Sequence, residues 1–220
     1  MNKFYKFIER MNYQSLLRSL IADGIDISVV FDIGAHKGRW TKEHKKIIQD
    51  AAFYLFEANQ EHFDKLNSRG ERVFIGVLSS NGLPAKFYKK IGTGDSLYKE
   101  NTVHYSDENY VLVDTRTLAQ VVQENKLPQP DFIKLDVQGA ELDILEGAGD
   151  LIDECKLILA ECPISPYNIG SPEIGDYLNY FKKIGFTPLR ITEQHRGAGA
   201  LLQVDVLFLR SSLLSRILNP

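Results

Sequence analysis

A chain of 220 residues with 44% hydrophobic and 25% charged side chains carries enough apolar surface to bury one full core. Its net charge is −3 with no long run of either sign, which argues against nucleic acid or an anionic membrane as the main partner and leaves small molecules. The two cysteines, Cys155 and Cys162, lack metal-ligand spacing and read as core thiols, so a disulfide framework and a structural zinc are excluded.

Phe4, Phe7, Ile8 and Met11, then Leu16, Leu17, Leu20 and Ile21, recur at helical spacing as far as Gly24, so residues 1–27 read as a helical segment ahead of a main domain at 28–220. Lys6, Glu9 and Arg10 break its apolar positions. Neither a signal peptide nor a membrane span is therefore expected, and the chain is expected in the cytoplasm. Next come the strand SVVFDI, a charged stretch from Lys37 to Gln49, the strand AFYLFE, a short helix over Glu61 to Asn67 and the strand RVFIGV. LPAKFYKK alternates like an added hairpin, and the polar run from Gly92 to Asp107 reads as a loop. NYVLVDT, the helix Leu118 to Asn125, DFIKLDV, the helix Glu141 to Gly147, KLILAEC, the helix Glu173 to Ile184, FTPLRIT and VDVLFLR follow. Strands alternating with helices predict an α/β domain, a mostly parallel sheet with helices on both faces and its ligands at the carboxyl ends of the strands.

Acidic residues stand at those ends: Asp32, Glu57, Asp136 and Glu161. The first turn, DIGAHKG, holds two glycines, Gly34 and Gly38, that permit a tight turn and close approach of a ligand. A nicotinamide enzyme would carry a third glycine there to hold a pyrophosphate. A carboxylate such as Asp32 about 4 Å from a phosphate costs roughly 4 kcal/mol at an effective dielectric near 20, whereas a cationic donor gains from it. S-adenosylmethionine (SAM), with a sulfonium, an ammonium and no phosphate, meets that condition. Glu57 is placed to accept both hydroxyls of an adenosine ribose, a role that NAD and SAM sites share. His36 and Lys37 in the same turn read as solvent-facing, and Trp40 as packing.

DFIKLDVQGAELDIL is the most unusual stretch. Lys134 and Asp136 point to the same side of a strand that should be buried on both faces, Gly139 makes another tight turn, and Glu141 opens the next helix. Three ionisable groups thus gather at one strand tip.

Together VVFDIGAHKG, YLFEAN, DFIKLDVQGAELDILEGA, LILAEC and VDVLFLR resemble the FkbM family of SAM-dependent methyltransferases, in order, over about residues 28 to 210. The specific part is KLDVQGAE. The resemblance implies a Rossmann-like class I fold, a seven-stranded sheet whose last strand is antiparallel, and SAM as cofactor. It further implies O-methylation of a hydroxyl on a sugar, glycolipid or polyketide-type acceptor. By the same resemblance Asp32, Gly34, Ala35, Gly38 and Glu57 bind the cofactor, and the segment after the third strand, Leu78 and Ser79 within it, lies near the adenine. Ala58 stands where relatives often carry a proline.

Methylating an alcohol requires a base for its proton. Asp136 or Glu141 is expected in that role, with Lys134 positioning the group or stabilising developing negative charge, Glu161 completing the acidic cluster and His104 the runner-up base. No metal is assigned; the alternative is a divalent cation on Asp136, Glu141 and Glu161. Ser96, Tyr98, His104, Tyr105, Tyr167 and Asn168 lie in loops suited to hydrogen-bond a polyol or glycan, and His195 with Arg196 forms a charged rim. Two other classes compete: a nicotinamide oxidoreductase, which would share Glu57 but need the missing glycine, and an inactive methyltransferase fold that only binds. No oligomeric state follows from the sequence.

Overall fold

The computed structural model describes residues 12–89, 95–99, 110–165, 168–197 and 199–218. Helix α1, Tyr13–Ala22, starts where Asn12 caps it by accepting the Ser15 amide, and it buries Leu16, Leu17 and Leu20. The chain then alternates β1 Val29–Ile33, α2 Arg39–His44, β2 Ala52–Glu57, α3 Phe63–Asn67 and β3 Arg72–Ile75. RVFIGV, read as one strand, is divided at Gly76, whose φ of 145° turns the chain out of the main sheet into β4, Val77–Leu78. Next are β5 Ala85–Tyr88, β6 Tyr110–Val113, β7 Thr115–Arg116 and α4 Leu118–Asn125, which a Thr117/Gln120 capping box opens. The remainder is β8 Phe132–Leu135, α5 Glu141–Glu146, β9 Leu157–Pro163, α6 Ile174–Lys183, β10 Phe186–Gly197, β11 Ala200–Arg210 and α7 Leu214–Leu218.

Seven strands form one sheet in the order β10-β11-β9-β8-β1-β2-β3, and two small pairs, β4 with β7 and β5 with β6, stand outside it. Strands β9, β8, β1, β2 and β3 run parallel, while β11 is antiparallel to both of its neighbours. The last strand of the chain is therefore the reversed one, and it lies inside the sheet rather than at its edge. This is a Rossmann-like α/β fold, and strand order reverses between the neighbouring β1 and β8.

Alternate residues of the central strands feed two cores. Phe31, Ile33, Ile133, Leu135, Ile158 and Ala160 pack under α4, α5 and α6, whereas Val30, Leu55, Phe132, Leu157 and Leu159 pack under α1 and α3. All seven residues of β9 are buried, Cys155 and Cys162 are buried free thiols, and Trp40 stacks on His44 at 3.8 Å between ring centroids. Arg210 fastens the end of the sheet, donating to the carbonyls of Cys155 at 3.0 Å, Ile184 at 3.1 Å and Ile152. No helix among the described residues is long and apolar enough to cross a membrane. The expected helix over Phe4 to Met11 lies outside the described residues.

Candidate active site

At the tip of β1 the chain reverses through Gly34, φ 76°, and the amides of Gly34 and Ala35 both donate to the Phe56 carbonyl, at 2.9 and 3.1 Å. A Cβ on Gly34 would stand 1.9 Å from the Asp136 carbonyl oxygen, so the turns after β1 and β8 touch through bare backbone. At the tip of β2, Glu57 accepts the His36 amide on Oε2 at 2.6 Å and the Asn59 amide on Oε1 at 2.8 Å. Both oxygens are thereby fixed, and each keeps a lone pair for a hydroxyl donor.

Between these tips lies a cavity of about 300 Å³, lined by Ile33, Gly34, Phe56, Glu57 and Leu78 together with Asp136, Gln138 and Glu161. His36 and His62, with ring centroids 4.5 Å apart, stand in its wall, so His36 faces the cavity rather than open solvent. Burial and the nearby His62 hold the His36 imidazole below its usual range. Four carboxylates line the space, Glu57, Asp95, Asp136 and Glu161, and among the described lining residues there is no lysine or arginine.

The face of the sheet toward α1 carries a row of ionisable groups, because Asp32, Lys134, Asp136, Glu161 and Asp205 all point that way, with Asp32 opposite Lys134 and Glu161 opposite Asp205 in register. Lys134 Nζ sits 3.2 Å from Asp32 Oδ1 and 3.4 Å from Asp136 Oδ2, and it donates to the Gly34 carbonyl at 2.8 Å. Burial works against its charge, yet Asp32 and Asp136 outweigh burial and hold the ammonium above its usual range.

Several expected site residues stand elsewhere. Asp32 is 0% exposed, paired with Lys134 and bonded by Thr41 Oγ1 at 2.6 Å, so it secures the strand tips from beneath and does not wall the cavity. The sign argument placed on Asp32 passes to the four carboxylates that do. Ala35 is buried, Gly38 opens α2 at φ 69°, and Ser79 bonds the Thr115 hydroxyl at 2.6 Å; none of the three lines the cavity. Glu141 is 0% exposed and accepts the amides of Val137 at 2.9 Å and Gly139 at 3.0 Å and the Tyr177 hydroxyl at 2.5 Å. Fully buried, outside the cavity lining and holding three donors, it clamps the 136–141 turn, a place that also removes it from the alternative metal set. Ser96 and Asn168, expected to meet substrate, are 2% and 4% exposed and both donate to the Gln138 carbonyl at 2.7 Å, Ser96 within the cavity lining and Asn168 outside it. Tyr98 donates to Asp143 at 2.7 Å. His104, Tyr105 and Tyr167 lie outside the described residues.

Two members of the site escaped the sequence reading. Gln138, at φ 59°, donates to Asp136 Oδ1 at 3.3 Å and Glu161 Oε2 at 2.8 Å, bridging the two acids. Asp205, in β11 beside Glu161, is bonded to His195 Nε2 at 3.2 Å. A signal for Asp205 was present in VDVLFLR, an acid flanked by valines on an interior strand. Burial, opposed by His195, pushes the Asp205 carboxyl up to about 6. Because this value lies above the unfolded one of about 3.9, folding takes up a proton between those pH values and stability falls as pH rises through them. Asp205→Asn should therefore be more stable than the parent at pH 8 by about 1 to 2 kcal/mol, with the gap closing below pH 4 in urea titrations at both pH values. An equal gap at both would show that the carboxyl is not strained.

Residues 32–188 match the Methyltransferase FkbM domain. The chain belongs to the FkbM methyltransferase family. It is 23% identical over 155 residues to the hexuronic acid methyltransferase AglP of Haloferax volcanii, an alignment covering 67% of this chain and 61% of that protein. It thus spans about three fifths of the length of that curated relative. Among solved structures, the magnesium protoporphyrin IX methyltransferase of Synechocystis with bound SAM superposes with a TM-score of 0.49 at 13% identity, covering 94% of this chain and 79% of that one. The 1,6-didemethyltoxoflavin N1-methyltransferase of Burkholderia thailandensis gives 0.48 at 12% identity, with coverages of 90% and 76%.

The family's cofactor is SAM, and the residues present fit it. Gly34 lines the cavity with bare backbone, Glu57 presents two anchored oxygens, and Ile33, Phe56 and Leu78 give an apolar wall. The buried Nε2 of His36 has no bonding partner among the described residues.

Proposed function

We propose that this FkbM family member transfers the SAM methyl group to a hydroxyl of a sugar or similarly polyhydroxylated acceptor, in the cytoplasm. The observation that carries the reading is a cavity wall that bears acids, Glu57 foremost, and no lysine or arginine among its described residues. Such a wall favours a sulfonium and ammonium ligand and repels a diphosphate. It also disfavours a nicotinamide dinucleotide. The hexuronic acid named for AglP supports a sugar acceptor.

In this reading the Gly34 turn, Glu57 and the apolar residues around Leu78 hold the cofactor, which supplies an electrophilic methyl group. Glu57 accepts the ribose hydroxyls through the lone pairs that the His36 and Asn59 amides leave open. Asp136, its side chain 46% exposed and its charge matched by Lys134, accepts a hydrogen bond from the acceptor hydroxyl and orients it. Gln138 fixes the spacing between Asp136 and Glu161.

Titration calorimetry with SAM, S-adenosylhomocysteine and NAD tests the reading: the first two should bind, and binding of NAD alone would overturn it. Glu57→Gln keeps an acceptor oxygen for one backbone amide and loses the charge. Since a hydrogen bond to a charged group is worth about 1.5 to 3 kcal/mol, SAM affinity should fall about tenfold or more while the urea midpoint moves little. Unchanged affinity would take Glu57 out of the ribose role.

A further inference from the structure

Methylating a hydroxyl releases one proton, which a buried cavity must first accept and then lose before the next turnover. We infer that Glu161 is the general base for the acceptor hydroxyl and that Asp205 and His195 pass the proton from it to solvent. The inference deepens the proposed function and rests on it.

Of the carboxylates near the β8 tip, Glu161 alone both lines the cavity and has no ion-pair partner among the described residues. It lines the cavity at 8% exposure, and its described hydrogen bond is the single one from Gln138. Asp136 is engaged by the Lys134 ammonium at 3.4 Å and by the Gln138 amide at 3.3 Å, and Glu141, 0% exposed and already holding three donors, does not line the cavity. The groups facing Glu161 are Asp136 and Lys134 at the β8 tip, Glu141 of α5 and Asp205 of β11. Burial first, then the three acids, raise its carboxyl well above the ordinary glutamate range, against a smaller opposing effect of Lys134. Asp205 in turn faces His195 and Glu193 of β10, Asp136, and Tyr13 of α1.

The path outward is short. One ligand atom from each of Glu161, Asp205 and His195 lies within 4.8 Å of the others. The His195 side chain is 41% exposed, against 22% for Asp205, so the row runs from a buried wall to open water. As the acceptor oxygen bonds to the methyl carbon and the carbon-sulfur bond breaks, the O–H electron pair stays on oxygen and the proton goes to a Glu161 oxygen. Neutral Glu161 then gives it to Asp205, His195 delivers it to water, and the carboxylate is restored. No oxidant or reductant enters.

The first test needs no acceptor. In carboxyl-carbon NMR of the protein saturated with S-adenosylhomocysteine, one glutamate should titrate well above the ordinary range and vanish in Glu161→Gln; Glu161 titrating in the ordinary range overturns the inference. With tritiated SAM and a phenyl glucuronide probe, Glu161→Gln should lower kcat about 10²- to 10⁴-fold, a far larger effect than the loss of SAM affinity that removing one wall charge brings. His195→Asn should lower kcat about tenfold, with KM unchanged and imidazole restoring the rate, as expected for a lost proton carrier. Normal kcat in Glu161→Gln overturns the base role. Turnover abolished by EDTA and restored by Mn²⁺ would make the three side chains cation ligands and overturn the proton path. Absence of any SAM or S-adenosylhomocysteine binding, by contrast, would strike the underlying methyltransferase reading, whatever Glu161 does.

Discussion

Lys134→Met should unfold at markedly lower urea than the parent, a loss of about 3 to 5 kcal/mol, the usual cost of removing one member of a buried ion pair. The size follows from what is left behind. Asp32 is 0% exposed, and without the ammonium at 3.2 Å its charge keeps only the Thr41 hydroxyl. The Gly34 carbonyl loses its donor at 2.8 Å as well, so SAM affinity should drop along with stability. Adding Asp32→Asn should recover part of the deficit, because the neutral amide no longer requires a counter-charge, and the double-mutant cycle isolates the pair. A Lys134→Met single variant as stable as the parent would mean that the row of charges on this face contributes nothing to the fold.

Gly34→Ala should reduce SAM affinity by about tenfold or more, measured by calorimetry, because a turn that lines the cavity must move and a loss of about 1.4 kcal/mol of contact is already tenfold. The added Cβ meets the Asp136 carbonyl oxygen at 1.9 Å, and backbone cannot rotate out of the way as a flexible side chain can. Either the β1 turn or the β8 turn must retreat, and both line the cavity. The φ of 76° adds about 1 to 2 kcal/mol of strain for any residue with a Cβ. Gly149→Ala separates the two causes: its φ is 55°, but nothing lies within 4 Å of the new carbon, so it should show the strain alone and keep SAM affinity. Wild-type affinity in Gly34→Ala would mean that the two turns do not enclose the cofactor.

Much of this architecture was legible because strand and helix periods are local properties of the chain. The acids at the ends of SVVFDI, AFYLFE, DFIKLDV and KLILAEC mark one edge of the sheet for that reason. Which of them meets the ligand depends on inter-strand register and on what lies beneath the tips, and neither is local. Asp32 and Lys134 are about a hundred residues apart in sequence, and only the β1/β8 register makes them a buried pair. Glu141 resembled a candidate base until Tyr177, brought in by α6, was seen to occupy it. Ser96 and Asn168 resembled substrate contacts because polar loop residues usually face solvent, yet both converge on one carbonyl at the 138 position. Asp205 was overlooked because an acid beside valines in a late strand has no visible partner until β11 is laid against β9.

That placement bears on biosynthesis. Because β11 fills a gap between β9 and β10 instead of extending an outer border, a nascent chain stopped before Ala200 would leave both of those strands with unpaired ladders. Assembly of the sheet must wait for residues near 210 to emerge, and the long sequence separations it closes favour slow folding in which premature termination or delay exposes sticky strand edges.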